Sequence, residues 1–260
     1  MKRIDELFRR LRAEKRCGLI AYVTCGDPDI DTTIRIVEEL GRAGADAIEL
    51  GVPFSDPIAD GPVIQGAAQR ALRQGTTMVD VLRVARAIRE KSQIPLIAFS
   101  YLNPILRYGV QRFPEDAAAA GFDAALLTDL PPEAGKEIRA ALHKRGLGLI
   151  YLLSPTSSDV RASLIDRSSD GFVYYVSTTG VTGTRRDLDP ALIDRLREIR
   201  SHLAKPLAVG FGVSERAHYL ALREHCDAVV VGSAIVRAIA EGEAASAPRR
   251  AGDVVRGILS

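Results

Sequence analysis

Short apolar runs alternate with amphipathic stretches along the whole chain. Eight runs stand out, at 19–23, 45–50, 95–99, 124–127, 147–152, 172–176, 206–209 and 228–231. They are apolar on both faces, as strands are when helices cover a parallel sheet. Between them, apolar residues recur at helical spacing over 32–43, 63–73, 78–90, 110–120, 133–145, 159–166, 190–202, 214–225, 233–240 and 253–259. Most run starts lie about 20–30 residues apart, the length of one strand–helix unit. Eight such units predict an α/β chain closed into a (β/α)8 TIM barrel. Two helical patterns follow the second run and two follow the eighth, so extra helices are expected after strands 2 and 8. Ile4, Leu7, Phe8 and Leu11 predict an extra N-terminal helix packed on the core. A doubly wound open sheet is the competing architecture, but Gly26-Asp27-Pro28-Asp29 after the first run is not a GxGxxG turn. No Pro/Gly/Ser-rich linker divides the sequence and no close internal repeat is apparent, so 1–260 reads as a single domain.

Composition narrows the class. The chain has 35 basic and 33 acidic residues, a net charge of +2, which gives no support for a nucleic-acid or membrane surface. Cys17, Cys25 and Cys226 lack metal-ligand spacing and read as reduced thiols of a cytoplasmic protein. No apolar run approaches the ~18 residues of a membrane span. Residues 1–16 carry Asp5, Glu6 and Glu14 where a signal peptide would be apolar.

In a barrel of this kind the loops after the strands form the active face. Side chains alternate along a strand, so Ile48 and Leu50 suit the helix-covered outside and Glu49 points into the barrel mouth. A carboxylate there must be paired, hydrated or raised in pKa, and a raised pKa suits a general acid or base. The loop after it, Val52 to Gly61, carries Asp56 and Asp60. Asp60 stands where it could cap the next helix, and Asp56 precedes Pro57 as a turn residue does. On pattern alone a structural and a functional role stay equally open for both.

Phosphate signals lie at the other end. Gly210-Phe211-Gly212 ends the seventh run, and Gly232-Ser233 ends the eighth and opens a helix. Those two loops with a helix N-terminus form the usual phosphate site of such barrels. The hydroxyl-rich stretch Ser177 to Arg186 after the sixth run reads as a lid from which Gly183 could reach the phosphate. No lysine falls at the C-terminal end of a run, which disfavours a Schiff base. His143, His202, His218 and His225 fall on helices or before strands, which disfavours a histidine-ligated metal. Chemistry is left to carboxylates, with Tyr22, Tyr101 and Tyr174 as helpers.

The segment Glu49-Leu50-Gly51-Val52-Pro53-Phe54-Ser55-Asp56-Pro57-Ile58-Ala59-Asp60-Gly61-Pro62 resembles the signature of the tryptophan synthase α subunit family. Thr24-Cys25-Gly26-Asp27-Pro28, Tyr174-Tyr175-Val176-Ser177, Gly180-Val181-Thr182-Gly183, Gly210-Phe211-Gly212 and Gly232-Ser233-Ala234-Ile235-Val236 match in the family's order. The resemblance implies a lyase that splits indole-3-glycerol phosphate into indole and glyceraldehyde 3-phosphate by a retro-aldol step. It implies Glu49 as general acid/base and Asp60 at the indole N–H. Tyr22, Tyr101, Leu126 and Tyr174 would line the indole pocket, and Gly183, Phe211, Gly212, Gly232 and Ser233 would hold the phosphate. The α subunit would carry no cofactor or metal. Its partner would be a pyridoxal-phosphate β subunit in an α2β2 tetramer, touching Pro53, Asp56, Pro57, Asn103 and Pro131 and receiving indole for tryptophan synthesis. A stand-alone lyase releasing free indole is the alternative. Thr178, Cys25 and the stretch Ser214-Glu215-Arg216-Ala217 depart from the family's usual residues, and Thr178 bears on the closure contacts of the lid.

Overall fold

The computed structural model describes residues 1–176, 190–210 and 212–260. Its strands are β1 (Gly18–Thr24), β2 (Ala47–Gly51), β3 (Leu96–Ser100), β4 (Ala124–Leu127), β5 (Gly148–Ile150), β6 (Leu152–Leu153), β7 (Val173–Val176), β8 (Leu207–Gly210) and β9 (Ala228–Val231). Its helices are α1 (Lys2–Ala13), α2 (Ile30–Ala43), α3 (Pro62–Arg73), α4 (Met78–Lys91), α5 (Leu102–Tyr108), α6 (Arg112–Ala120), α7 (Lys136–Lys144), α8 (Asp159–Ser168), α9 (Pro190–Ser201), α10 (Arg216–Leu222), α11 (Ser233–Ala240) and α12 (Ala247–Leu259). All strand pairs are parallel, in the order β5-β4-β3-β2-β1-β9-β8-β7-β6.

The expected eight strands are present, with the fifth split at Tyr151. Its first half, β5, pairs with β4, and its second half, β6, pairs with β7. The split arises because β7 starts late. Below its start, side chains serve the fifth strand instead: Leu149 N–H donates to Asp170 Oδ2 at 2.9 Å and Tyr151 N–H to Ser169 Oγ at 3.0 Å. The ring still closes, since Tyr174 N–H donates to Tyr151 C=O at 3.2 Å.

The extra helices stand where the pattern places them: α1 at the N-terminus, α3 and α4 after β2, and α11 and α12 after β9. The short α5 is not among the expected helical patterns. Pro104 falls in the first turn, where a missing N–H costs nothing, and the N–H of Leu102 donates to Asp129 Oδ1 at 2.7 Å. Helix α7 begins at Lys136 rather than 133, behind the turn made by Pro131 and Pro132. No helix among the described residues is long and apolar enough to cross a membrane.

Two apolar layers result. Outward residues such as Leu19, Ile48, Leu50 and Leu96 pack under the helices. Inward residues such as Ile20, Ala47, Ile97, Ala124 and Ile150 fill the barrel. The buried face of α1, Ile4, Leu7, Phe8 and Leu11, joins this inner cluster and plugs the N-terminal end, with Phe8 and Phe172 rings 5.4 Å apart. With the bottom closed, the C-terminal mouth is the end left unplugged among the described residues.

Aspartates recur at the floor. The backbone N–H groups of Leu19, Leu96, Leu149 and Leu207 donate to Asp46, Asp123, Asp170 and Asp227 at 2.8–3.0 Å. Each carboxylate also pairs with arginine: Asp46 with Arg10 and Arg16, Asp123 with Arg3 and Arg89, Asp170 with Arg139, and Asp227 with Arg200. Asp46, Asp123 and Asp227 each stand before an alanine and an apolar run, a weak repeat hidden by unequal spacing. Asp123 is 2% exposed, so Asp123→Ala would orphan the Leu96 N–H and leave Arg89 half-buried without its counter-charge. Urea denaturation should show a loss of about 3 kcal/mol, with Asp123→Asn losing less because one acceptor remains.

Candidate active site

Glu49 lies in β2, level with Tyr22 on β1 and Ile97 on β3. Its neighbours Ile48 and Leu50 pack in the outer layer, so alternation turns Glu49 inward, as expected. It is fully buried, and neither carboxylate oxygen has a hydrogen-bond partner among the described residues. Burial pushes its pKa up to about 8. A buried carboxylate without a partner is costly to ionise, so Glu49 holds a proton at neutral pH.

Asp60 ends the loop between β2 and α3. Capping does not occupy it, because Gly61 is the N-cap of α3 and Pro62 takes the first helical position. The carboxylate instead accepts from Tyr101 Oη at 3.1 Å, and Tyr101 Oη accepts from the Ala59 N–H at 2.9 Å. Burial pushes Asp60 up to about 6, with the Tyr101 bond pulling the other way. Asp56 is different: it is exposed, takes the Ser55 hydroxyl, and gives its carbonyl to the Ile58 N–H.

The tyrosines complete the chamber. Tyr22 stands edge-on to Phe99 with centroids 5.1 Å apart, and its hydroxyl lies 3.3 Å from Thr24 Oγ1. Burial raises the phenols of both Tyr22 and Tyr174, and the charges of Asp60 and Glu49 raise both further. Both rings therefore sit within electrostatic reach of both carboxylates. Glycines make the room. A Cβ on Gly51 would come within 2.3 Å of the Tyr22 hydroxyl, and one on Gly210 within 2.6 Å of the Tyr174 hydroxyl. Leu126 is fully buried in the inner cluster beside Phe99. Tyr101 packs on Phe54 at 5.3 Å.

At the other side of the mouth, Gly232 is the N-cap of α11, and Ser233 opens that helix. A Cβ on Gly232 would stand 3.4 Å from Tyr22 Cβ, so this helix N-terminus borders the same chamber. Free N–H groups of a first helical turn attract anions. Gly212 has φ 67 and open space where a Cβ would be, a conformation that suits glycine. Gly183 and Phe211, and the stretch 177–186, lie outside the described residues.

Among the residues named for a partner surface, Asp56, Asn103 and Pro131 are exposed, Pro57 is half-buried and Pro53 is buried. The sequence reading missed Phe99, Thr24 and Gln65. Alternation from Ile97 could have found Phe99. Gln65 carried no signal beyond being polar on the first turn of a helix.

A parallel (β/α)8 barrel whose mouth holds Glu49, without a hydrogen-bond partner among the described residues, together with Asp60 and the N-terminus of α11, has the architecture of a barrel enzyme. A family model described as "Tryptophan synthase alpha chain" matches residues 8–255. The tryptophan synthase alpha chain of Solibacter usitatus is 53% identical, covering 95% of this chain and 92% of that protein. That of Xanthomonas euvesicatoria is 47% identical, covering 96% and 95%. The crystal structure of tryptophan synthase subunit alpha from Legionella pneumophila superposes with a TM-score of 0.91 at 36% identity, covering 98% and 96%. A structure of the α2β2 complex from Pyrococcus furiosus gives 0.89 at 39% identity, covering 93% and 97%. The chain belongs to the tryptophan synthase alpha chain family.

Burial of Glu49 also sets a pH dependence of stability. The unfolded chain ionises this group near 4.5, the folded chain near 8. Between those values the folded state holds the extra proton, so stability falls as pH rises through that window. Glu49→Gln removes the titration. Urea denaturation at pH 5 and at pH 9 should show the variant gaining on the parent by a few kcal/mol, on the order of 1.4 kcal/mol for each pH step of one inside the window. A pH-independent difference would overturn the assignment.

Proposed function

We propose that Glu49 is the general acid and base, and Asp60 the cation-stabilising carboxylate, of an indole-3-glycerol-phosphate lyase that yields indole and glyceraldehyde 3-phosphate. The observation that carries this reading is the contrast between Glu49, fully buried with no hydrogen-bond partner among the described residues, and Asp60, half-buried and held by Tyr101; burial raises Glu49 to about 8 and Asp60 only to about 6. Between them, one carboxyl keeps its proton while the other is charged, which assigns the acid and the anion.

The chemistry follows from that pairing. Protonated Glu49 delivers its proton to indole C3, giving an indolenine cation that serves as the electron sink. Ionised Asp60, held by Tyr101, lies at the indole N1–H and stabilises the cation. Glu49, now a carboxylate, takes the hydroxyl proton from the side-chain carbon next to the ring. The O–H electrons form the aldehyde C=O, the C–C bond breaks, and its electrons return to the ring. The proton lent to C3 stays there, replacing the bond to carbon. These transfers need only the two carboxylates, so the reading calls for no cofactor or metal in this chain.

The other sites follow the same reading. Tyr22, Phe99, Leu126, Tyr174 and Tyr101 enclose the indole. Gly232 and Ser233 at the start of α11, with Gly212, Gly183 and Phe211, hold the phosphate. The structural relative from Pyrococcus furiosus is an α2β2 tryptophan synthase complex. By that likeness a β subunit docks on this chain's mouth and takes the indole on to L-tryptophan. Ile58 on the loop, 88% exposed, and Leu106 on α5, 51% exposed, offer apolar surface beside Asp56, Pro57, Asn103 and Pro131.

Glu49→Gln keeps the shape of the site and removes proton transfer. Spectrophotometric assay of indole release, with the matching β subunit present, should show at least a ~100-fold fall in kcat. Normal turnover would refute the assignment. The parent's kcat/KM should be bell-shaped, falling below about pH 6 as Asp60 protonates and above about pH 8 as Glu49 ionises. Asp60→Asn should be impaired at every pH and lose the acid limb.

A further inference from the structure

The loop bearing Asp60 has little packing of its own: Ser55, Asp56, Ile58 and Ala59 are exposed. Polar ties hold it instead. The Asp60 N–H closes a turn on Pro57 C=O at 3.0 Å. Gln65, one helical turn into α3, reaches back across that turn. Its Nε2 donates to Asp60 C=O at 2.8 Å and lies 3.4 Å from Pro57 C=O. Both partners are carbonyl oxygens, which only accept, so the amide must present its NH2 to them. One side chain therefore grips both ends of the turn. The anchor is firm, because Gln65 N–H is bonded to Gly61 C=O at 3.0 Å and Ala67, Ala68 and Ala71 of the same helix are buried.

We infer that Gln65 is a positioning residue for Asp60, fixing the main chain of its turn so that the carboxylate stands at the indole nitrogen. The inference rests on the catalytic reading of Asp60 given above. Tyr101 holds Asp60 at its carboxylate and Gln65 holds it at its main-chain carbonyl, two restraints that limit the freedom of the carboxylate. Displacing a reacting group by about 1 Å can cost about 100-fold in rate. Loss of the Gln65 donor therefore acts on kcat. It leaves the phosphate end of the substrate, bound across the mouth near α11, untouched.

The test compares Gln65→Met, which keeps the length and removes the donor, with Gln65→Lys, which keeps a donor of similar reach. Each is assayed for indole-3-glycerol-phosphate cleavage in the complex with the β subunit, with Tm measured alongside. Gln65→Met should lower kcat by ~10-fold or more, because a misplaced carboxylate stabilises the developing cation less well. KM should stay within about 3-fold and Tm close to the parent's. Gln65→Lys should recover most of the kcat. The inference is overturned if Gln65→Met keeps the parent's kcat, if Met and Lys lower kcat equally, or if activity falls only in step with Tm. Asp60→Asn, run in parallel, separates the two levels. If that variant turns over normally, the catalytic reading of Asp60 has failed, whatever Gln65 does.

Discussion

Closing a parallel sheet on itself leaves every central backbone group paired and no edge, and it divides the side chains into those that face helices and those that face each other. Two ends remain, and this chain treats them oppositely. At the N-terminal end, α1 inserts Ile4, Leu7, Phe8 and Leu11 against the inner layer and seals it. At the C-terminal end no such plug is present among the described residues, and the inner layer ends in Glu49, Tyr22, Phe99 and Tyr174. A carboxylate at that level has lost bulk water and meets no cation among the described residues, and burial raises Glu49 to about 8.

The same functional group does opposite work at the two ends. Asp46, Asp123, Asp170 and Asp227 at the floor each accept a strand N–H and each meet an arginine. Their charge is satisfied, and they tie the starts of four strands to their neighbours. Among the described residues, Glu49 in the mouth has none of those partners and the Asp60 carboxylate has a single phenol. Pairing makes the first set structural. Withholding it makes the second set able to exchange protons near neutral pH.

Glycine placement connects the two carboxylates to the rest of the site. Gly51 and Gly210 leave the space that the Tyr22 and Tyr174 hydroxyls fill, and Gly232 lets the start of α11 come against Tyr22. The two carboxylates, the aromatic walls and the helix N-terminus thus share one chamber, although they come from residues far apart in the chain.

Local patterns carried much of this. The period of two in the second apolar run turned Glu49 inward, and the spacing of runs and helices specified the barrel, the N-terminal plug and the paired helices after β2 and β9. Such features depend on near neighbours in sequence, where sterics and alternation act. Asp60 was undecided between capping a helix and serving the site, and only the fold resolved its contacts, because Gly61 takes the cap and Tyr101 arrives from a different strand loop. The floor aspartates, the split of the fifth strand at Tyr151 and the grip of Gln65 on the Asp60 turn were likewise invisible. Each depends on a partner brought close by barrel closure or by the fold of a loop, and no periodicity along the chain encodes those meetings.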